Sequence, residues 1–365
     1  MERPLKILFV LHSHICGGAE KHTVTLMRAL KRQGHQVFFC GPSDSWLHEQ
    51  LTASGILSIH TPLHGYCDFY SLILIIRTIL KHQIDIVHGH MTRGALYAGF
   101  AGKLTGRKSV STAHLMDSYK RFQHTDRIIA VSDAVKNMLI EKGHDHSRIR
   151  TILNGIDFPQ IQDDQREEVR RELGLRSDDT ALCMLSFPEF FKGHDLALAA
   201  LKRLTDPRLK LIVIGRTEGV EHAKTLQELA ISLGIAEQVM FLGHRDDVYR
   251  LLSGMDIFLM PSRREACSLA MIEAAASGLP VIASRVGGLP EILEEDVSGV
   301  FFEVGNAEEL ADKIRYLVDS LDLRVKLGRN ARSAMRIKMD GATMTSRTLD
   351  LYRELCQNHR LQEAE

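Results

Sequence analysis

The chain has 365 residues, 44% of them hydrophobic, a length that exceeds one ordinary core and suits two domains. Its 46 Lys and Arg balance 46 Asp and Glu, which excludes a uniformly basic nucleic-acid binder. The charge is uneven, because residues 1–157 carry 19 basic against 12 acidic residues and 14 of the 18 histidines. This basic first half indicates contact with an anionic acceptor or membrane surface, or else ordinary solvated charge.

Three further features bear on location. The six cysteines lack metal-ligand or disulfide spacing, which is typical of reduced thiols in a cytosol, and no zinc site is implied. The start MERPLKILFV lacks the pattern of a signal peptide, so a cytoplasmic protein is predicted. The most apolar helical segment, residues 72–80, contains Arg77 and is too short to span a membrane. We expect it to face the core, with a monotopic membrane contact as the alternative.

Short β-rich segments alternate with helical stretches along the whole chain. In the first half, strands are predicted at 5–11, 35–40, 85–90, 109–114, 126–132 and 149–155, with a helix from about 19 to 33. After a charged helical connector at 165–173, strands are predicted at 181–186, 209–215, 238–243, 256–261, 280–284 and 299–304. This alternation predicts an α/β protein with two doubly wound, Rossmann-like domains.

The segment NGIDFP at 154–159 has turn chemistry that suits a hinge between the two halves. The predicted domains are residues 1–160, completed by a C-terminal helix at 346–365, and residues 161–345. Ligands of open α/β sheets bind beyond the carboxyl ends of the strands. We therefore expect the active site in a cleft between two such sheet edges.

The segment DIFLMPSRREACSLAMIEAAASGLPVIASRVGG, residues 256–288, places Glu265 and Glu273 eight residues apart across a strand-to-helix turn. Amides at a helix start lack intrahelical partners, and the macrodipole there favours a phosphate. Here these amides belong to Cys267, Ser268 and Leu269. Glu265 would point into a cleft and Glu273 would reach toward a nucleoside. Alternatively, Glu265 is a solvated loop charge and Glu273 only complements the helix dipole.

Glycines and histidines mark the strand ends of the first half. Gly17 and Gly18 follow the first strand and open a helix, which allows close approach of an anion but also fits an ordinary tight turn. His114 ends the strand at 109–114, either at a cleft mouth or as a structural strand cap. His88 and His90 lie on one face of their strand. Because no third ligand has suggestive spacing, we interpret them as cleft-lining or core residues and predict no metal site.

Two segments resemble a known family. PSRREACSLAMIEAAASGLPVIASRVGGLPEIL is similar to the E-x7-E segment of family 4 retaining glycosyltransferases, and GGAEKHTVTLMRALKRQGHQV resembles their first loop and helix. The resemblance covers nearly the whole chain. It implies the GT-B fold, in which two Rossmann-like domains face each other across a cleft, and a C-terminal helix that packs on the first domain.

The resemblance also implies roles for single residues. Gly17 and Gly18 would contact the donor diphosphate or the acceptor, and His114, in the position of the family's T-x-H, would contact the transferred sugar. Glu265 would hold the sugar hydroxyls and Glu273 the ribose hydroxyls.

Lys192 with Gly193 is similar to the family's R-x4-K-G phosphate clamp. The usual Arg position holds Phe187, and a phenyl ring cannot replace a guanidinium. Arg216, a residue of the first domain or the helix amides would then supply the missing charge.

As a whole, the resemblance implies a hexosyl- or hexosaminyl-type transferase (EC 2.4 class). It would move a sugar from a nucleoside diphosphate, expected to be UDP, to an acceptor hydroxyl with retention of configuration. The expected acceptor is a saccharide or lipid-linked molecule of bacterial surface polysaccharide or lipopolysaccharide synthesis, with peripheral contact at the inner membrane. No D-x-D-like motif is evident, so no cofactor or metal is expected. The alternatives are a nucleotide-sugar epimerase on the same fold and a catalytically silent partner subunit, for which Phe187 is the main argument.

Overall fold

The computed structural model describes residues 3–158 and 165–364, with the side chains of the last helix described through residue 357. The chain divides into two compact units, which we call unit 1 (Met1–Asp157 and Met339–Glu365) and unit 2 (Phe158–Lys338). The predicted boundary between residues 160 and 161, and Pro159 of the predicted hinge, fall within 159–164 and lie outside the described residues.

Unit 1 is built on a seven-stranded parallel sheet with the order β3-β2-β1-β4-β5-β6-β7. Its strands are β1 (Lys6–Val10), β2 (Gln36–Gly41), β3 (Leu57–His60), β4 (Ile86–His90), β5 (Lys108–Ala113), β6 (Arg127–Ala130) and β7 (Ile149–Thr151). Its helices are α1 (Gly18–Arg32), α2 (Trp46–Ala53), α3 (Phe69–His82), α4 (Met91–Thr105), α5 (Asp133–Glu141) and, after unit 2, α14 (Gly341–Ala364).

Unit 2 is built on a six-stranded parallel sheet with the order β10-β9-β8-β11-β12-β13. Its strands are β8 (Thr180–Leu185), β9 (Leu209–Ile214), β10 (Val239–Phe241), β11 (Ile257–Met260), β12 (Val281–Ser284) and β13 (Val300–Phe302). Its helices are α6 (Gln165–Glu172), α7 (His194–Leu204), α8 (Glu221–Ser232), α9 (Val248–Ser253), α10 (Leu269–Ala276), α11 (Leu289–Ile292), α12 (Ala307–Val318) and α13 (Leu321–Lys338).

Most strands are buried on both faces because helices cover each sheet, whereas the edge strands β3, β7 and β10 are only partly buried. In β1, Ile7 and Phe9 pack into one buried cluster, whereas Leu8 and Val10 pack into another on the opposite face. This two-sided burial explains why the strand reads as a continuous apolar run. The C-terminal helix α14 contributes Leu349, Leu351, Tyr352 and Leu355 to the cluster that contains Phe9.

The order of strands in unit 2 determines which loops meet. The strands β9, β8 and β11 are consecutive neighbours in the sheet, so the loops after their carboxyl ends lie side by side.

Within the described residues, no helix combines the length and the apolar composition that a membrane span requires.

Candidate functional site

The turn from β11 to α10 in unit 2 has the predicted form. The strand ends at Met260, and α10 begins at Leu269 with Ser268 as its N-cap. The Ser268 hydroxyl accepts a hydrogen bond from the amide of Met271 at 3.2 Å, which satisfies one of the helix's first donors. The three predicted anion-binding residues, Cys267, Ser268 and Leu269, are all buried. Glu273 is 6% exposed and lies inside the same helix.

Lys192 and Glu265 meet directly. Lys192 ends a 3-10 helix after β8, and its Nζ lies 2.7 Å from Oε2 of Glu265, with side-chain exposures of 17% and 12%. Gly193 follows with φ 73°, and a Cβ there would lie 1.9 Å from the carbonyl oxygen of Pro261. Only glycine permits this close approach between the loop after β8 and the end of β11.

A second ion pair fixes these two loops to each other. Arg263 donates to both carboxylate oxygens of Asp195 at 2.8 and 2.6 Å, and its guanidinium lies 4.2 Å from the ring centroid of Phe190. The Arg263 amide also donates to the carbonyl oxygen of Phe191 at 2.8 Å. Bidentate pairs of this kind hold a defined geometry. The positions of Lys192 and Glu265 are therefore set by contacts outside the pair itself.

Glu265 is also held from its other side. Gly287 has φ 54°, and a Cβ there would lie 1.8 Å from the Glu265 carbonyl oxygen. That oxygen accepts a hydrogen bond from the Gly288 amide at 3.3 Å. The glycine pair after β12 thus supports the loop that carries Glu265.

The two residues connected with the missing clamp Arg lie nearby in unit 2. Phe187 follows β8 and is half-buried, and its amide nitrogen lies beside Gly215. Arg216 follows β9, is exposed, and lines a cavity of about 510 Å³ with Glu189, Glu221 and His222. Among the described residues Arg216 has no ion-pair partner, so its charge is available to a ligand.

In unit 1, an amide of the turn before α1 is already hydrogen-bonded to a carboxylate of the chain. Gly17 is the N-cap of α1, Gly18 is its exposed first residue, and the Gly17 amide donates to Oε2 of Glu20 at 3.0 Å. A carboxylate of the chain therefore already occupies the position that an anion would take at Gly17. The predicted role of Gly17 and Gly18 stays a prediction.

His114 belongs to a cluster of buried histidines at the carboxyl ends of β4 and β5. Its Nε2 lies 3.0 Å from Nδ1 of His90, and ligand atoms of His22, His90 and His114 all lie within 4.8 Å of one another. His88 is beside them, with ring centroids of His88 and His90 4.3 Å apart. Both His88 nitrogens already have partners, Tyr352 Oη and Thr112 Oγ1.

Burial lowers the pKa of these imidazoles. The pKa of His22 falls to about 4, mainly because of desolvation, and a hydrogen bond with Asn154 opposes part of that fall. Burial, followed by the neighbouring histidines, holds the pKa values of His90 and His114 well below the usual range. Burial therefore disfavours the charged form of all three rings.

The structure thus brings together Lys192, Glu265 and the start of α10 in unit 2, and places His114 in unit 1 beside His90. His22 was missed by sequence reasoning. It lies on α1, so neither strand alternation nor sequence spacing relates it to His90, and only the fold supplies it as a third neighbour. The functional roles of all these residues stay predictions.

Comparison with known proteins identifies the family. Residues 16–159 match the family model described as Glycosyltransferase Family 4, and residues 165–334 match the model described as Glycosyl transferases group 1. The chain is 28% identical over 295 residues to N-acetyl-alpha-D-glucosaminyl L-malate synthase of Bacillus anthracis, covering 76% of this chain and 77% of that protein.

Two solved structures are similar over almost the full chain. A glycosyltransferase from Rickettsia africae ESF-5 has a TM-score of 0.87 at 25% identity, covering 98% of this chain and 100% of that one. HepE of Anabaena, solved in complex with UDP-glucose, has a TM-score of 0.87 at 21% identity, covering 96% of this chain and 100% of that one. With one family model on each unit and two parallel sheets of the expected kind, the chain belongs to the family 4 glycosyltransferases of GT-B fold and is a hexosyl- or hexosaminyl-type transferase.

Proposed function

We propose that this enzyme transfers a hexosyl or hexosaminyl group from a UDP-sugar to an acceptor hydroxyl with retention of anomeric configuration. The observation that carries the proposal is the Lys192–Glu265 pair at the carboxyl edge of unit 2, beside the start of α10. In this pair, Lys192 would supply a positive charge for the diphosphate, and Glu265 would supply a carboxylate for the sugar hydroxyls. The UDP-glucose complex of HepE, a protein of the same fold, supports UDP as the donor nucleotide.

The donor would lie along the carboxyl edge of the unit 2 sheet. The diphosphate would accept hydrogen bonds from the first amides of α10, where the helix dipole favours negative charge. Lys192 would contact the same diphosphate, and Arg216 would supply further positive charge. Glu273, buried in α10, would accept hydrogen bonds from the ribose hydroxyls, and Glu265 from the hydroxyls of the sugar.

The chemical step needs no enzymatic nucleophile. The bond between the anomeric carbon and the diphosphate oxygen breaks while the acceptor oxygen forms a bond on the same face of the sugar. The acceptor proton passes to the departing phosphate oxygen. Lys192 and the α10 amides stabilise the negative charge that develops on that phosphate, so the proposal requires no divalent cation. His114 would orient the transferred sugar.

On the acceptor side, unit 1 has features that fit an anionic or membrane-bound partner. The exposed face of α3 carries Phe69, which is 74% exposed, with Tyr70, Ile73 and Leu80. Arg77 and Lys81 lie exposed on the same helix. Apolar side chains flanked by basic ones favour peripheral binding to an anionic membrane.

We therefore propose that the enzyme works at the cytoplasmic face of the inner membrane. Its acceptor would be a saccharide or lipid-linked molecule in bacterial surface polysaccharide or lipopolysaccharide synthesis.

One observation favours a second candidate. Phe187 removes a cation from the predicted diphosphate clamp, which is the change expected in a partner subunit that has lost catalysis. Such a subunit would bind nucleotide weakly and turn over no donor.

The test is an assay of the purified protein with a panel of UDP-sugars and candidate acceptors, in excess EDTA. Nuclear magnetic resonance should show a product with the donor's anomeric configuration. Turnover that required added magnesium or manganese would contradict the metal-independent step. Conversion of the donor without acceptor would instead indicate an epimerase, and no turnover with any donor would indicate a silent subunit.

Variants distinguish residues that contact the sugar from residues that contact the diphosphate. Glu265→Gln and His114→Ala should lower kcat by at least about tenfold with little change in UDP affinity, because both residues are assigned to the sugar. The matched control is Glu237→Gln, which alters an exposed carboxylate elsewhere in unit 2. A Glu265→Gln variant with full turnover would remove Glu265 from the reaction.

A further inference from the structure

The histidine cluster of unit 1 contains buried nitrogen atoms whose hydrogen bonds are not satisfied by the part of the chain that the structure describes. Among the described residues, Nε2 of His90 and Nδ1 of His22 are buried without any hydrogen-bond partner. His90 is fully buried and His22 nearly so. A buried polar atom without a partner costs free energy, so native structures pair almost all of them. Two such atoms in one cluster indicate a missing ligand.

Thr23 and His114 both lie beside the same nitrogen of His90. The Thr23 hydroxyl donates its single proton to the Ala19 carbonyl oxygen at 2.7 Å, so toward other groups it can only accept. Nδ1 of His90 lies 3.3 Å from that hydroxyl oxygen and 3.0 Å from Nε2 of His114. In the tautomer that donates from Nδ1 to Thr23, the other nitrogen of His90, Nε2, presents a bare lone pair inside the cluster, and metal binding at Nε2 requires this tautomer. Fixing one nitrogen by a hydrogen bond is how proteins orient metal-binding histidines.

The three rings also have the spacing of a ligand set. Potential ligand atoms of His22, His90 and His114 lie within 4.8 Å of one another. Nitrogens that bind one zinc ion at about 2.0–2.1 Å lie roughly 3.4 Å apart. Side-chain rotations that move the ring nitrogens by about an ångström would bring them to that spacing. Each ring would bind the ion through the lone pair of an unprotonated nitrogen.

We propose that His22, His90 and His114 form a binding site for one transition-metal cation of the zinc type. Three imidazole nitrogens from α1, β4 and the loop after β5 would coordinate the ion, leaving a fourth position for water. His88 lies outside the ligand set because Tyr352 and Thr112 occupy both of its nitrogens. The ion is not required for sugar transfer.

The direct test is titration of the EDTA-treated, dialysed protein with Co²⁺. One ion per chain should bind with the visible absorption of a tetrahedral site, and Zn²⁺ should displace it. In the wild-type protein, Zn²⁺ should also shift the ¹⁵N resonances of the ring nitrogens of three histidines. No stoichiometric Co²⁺ binding, or no shifted histidine resonance, would overturn the proposal.

Variants identify the ligands. Removing a residue that only hydrogen-bonds to a metal ligand lowers metal affinity by about 10–100-fold. His22→Gln and His90→Gln remove proposed ligands themselves, so each should weaken Co²⁺ binding by at least about 100-fold. The control is His14→Gln, because exposed His14 lies 3.3 Å from Asp44 and offers an alternative surface site. Circular dichroism establishes that each variant is folded. Unchanged Co²⁺ binding in folded His22→Gln would refute the proposed site, and loss of binding in His14→Gln would show that the ion binds at the surface.

One consequence rests on the proposed function. An ion bound to His114 would prevent this residue from contacting the transferred sugar, so Zn²⁺ should inhibit transfer and EDTA should restore it. Inhibition that persisted in His22→Gln would contradict this assignment. The two proposals fail separately: Co²⁺ binding without any turnover refutes the transferase, whereas turnover without Co²⁺ binding refutes the metal site.

Discussion

At the scale of single residues, Phe187 is where the chain departs most clearly from its family. The side chain is half-buried at the carboxyl end of β8, so an Arg in its place could keep its guanidinium in contact with solvent. We expect Phe187→Arg to tighten UDP binding by about 1–3 kcal/mol, the range for a hydrogen bond to a charged group. Titration calorimetry measures the affinity, and the melting temperature should not change. Weaker binding together with a lower melting temperature would show that Phe187 packs structurally and that other groups neutralise the diphosphate.

His194, the first residue of α7, makes the stability of unit 2 depend on pH. Burial is the main reason that its pKa is lowered to about 4 from the usual 6.5, followed by the charges of His222 and Lys192. The unfolded chain therefore takes up this proton first as the pH falls. The stabilisation is complete above about pH 6.5 and is lost progressively down to about pH 4, by about 2–3 kcal/mol in total.

The measurement is the free energy of unfolding of wild type and His194→Gln between pH 7 and pH 4. The difference between the two proteins should shrink as the pH falls, because the variant lacks the titrating group. His146→Gln, which changes an exposed histidine, should keep the wild-type slope. An identical slope in wild type and His194→Gln would refute the role of His194.

Residues that are adjacent in the chain could be assigned to a site from the sequence, whereas residues that only the fold brings together could not. The motif after β11 could be read from the sequence, because its carboxylates and helix start are adjacent in the chain. The association of His22 with His90 could not, because it depends on how α1 packs against β4. The Glu20 carboxylate at the Gly17 amide was equally invisible, since a glycine turn has the same sequence whether its amide is free or occupied.

At the scale of elements, α10 is the helix on which the proposed donor site depends. Asp caps a helix as well as Ser does, so Ser268→Asp should preserve the stability of α10. It should also place a carboxylate where the diphosphate is proposed to bind, and so weaken UDP binding at least about tenfold, or 1.4 kcal/mol.

Calorimetry with UDP and thermal melting together test this variant. The matched control is Ser132→Asp, because Ser132 caps α5 of unit 1 with the same geometry, accepting from the Val135 amide at 3.2 Å. The control should keep its UDP affinity. Unchanged UDP affinity in Ser268→Asp would place the diphosphate elsewhere.

Most elements follow from local sequence, and the exceptions have a physical reason. Twelve of the thirteen strands within the described part of the chain coincide with predicted ones. Most of these twelve are buried on both faces, and such strands have the sequence of an apolar run between turns. The strand β3, with the sequence LSIH, was missed. It is short, lies at the edge of its sheet beside β2 alone, and leaves Leu57 half exposed, so it lacks the apolar run that marks the others.

At the scale of the whole molecule, the chain returns to unit 1 after completing unit 2. The helix α14 brings Tyr352 into full burial, and its hydroxyl hydrogen-bonds to Nδ1 of His88 on β4. The C-terminal end thus completes a core that the first residues of the chain begin. Deleting this helix would expose apolar side chains of unit 1, although its own residues are far away in sequence.

Because α14 packs on unit 1, a substitution in α14 should destabilise unit 1. Tyr352→Phe leaves the His88 nitrogen unpaired in a buried site, so the free energy of unfolding of unit 1 should fall by about 1–3 kcal/mol. Trp46 is the chain's one tryptophan and packs against the same buried cluster as Tyr352, so its fluorescence reports on unit 1. Urea unfolding followed by that fluorescence should shift to lower urea in Tyr352→Phe. The control, Tyr316→Phe, alters a side chain of unit 2 that is 50% exposed and should leave the transition unchanged. If Tyr352→Phe also left it unchanged, α14 would not unfold together with the sheet on which it packs.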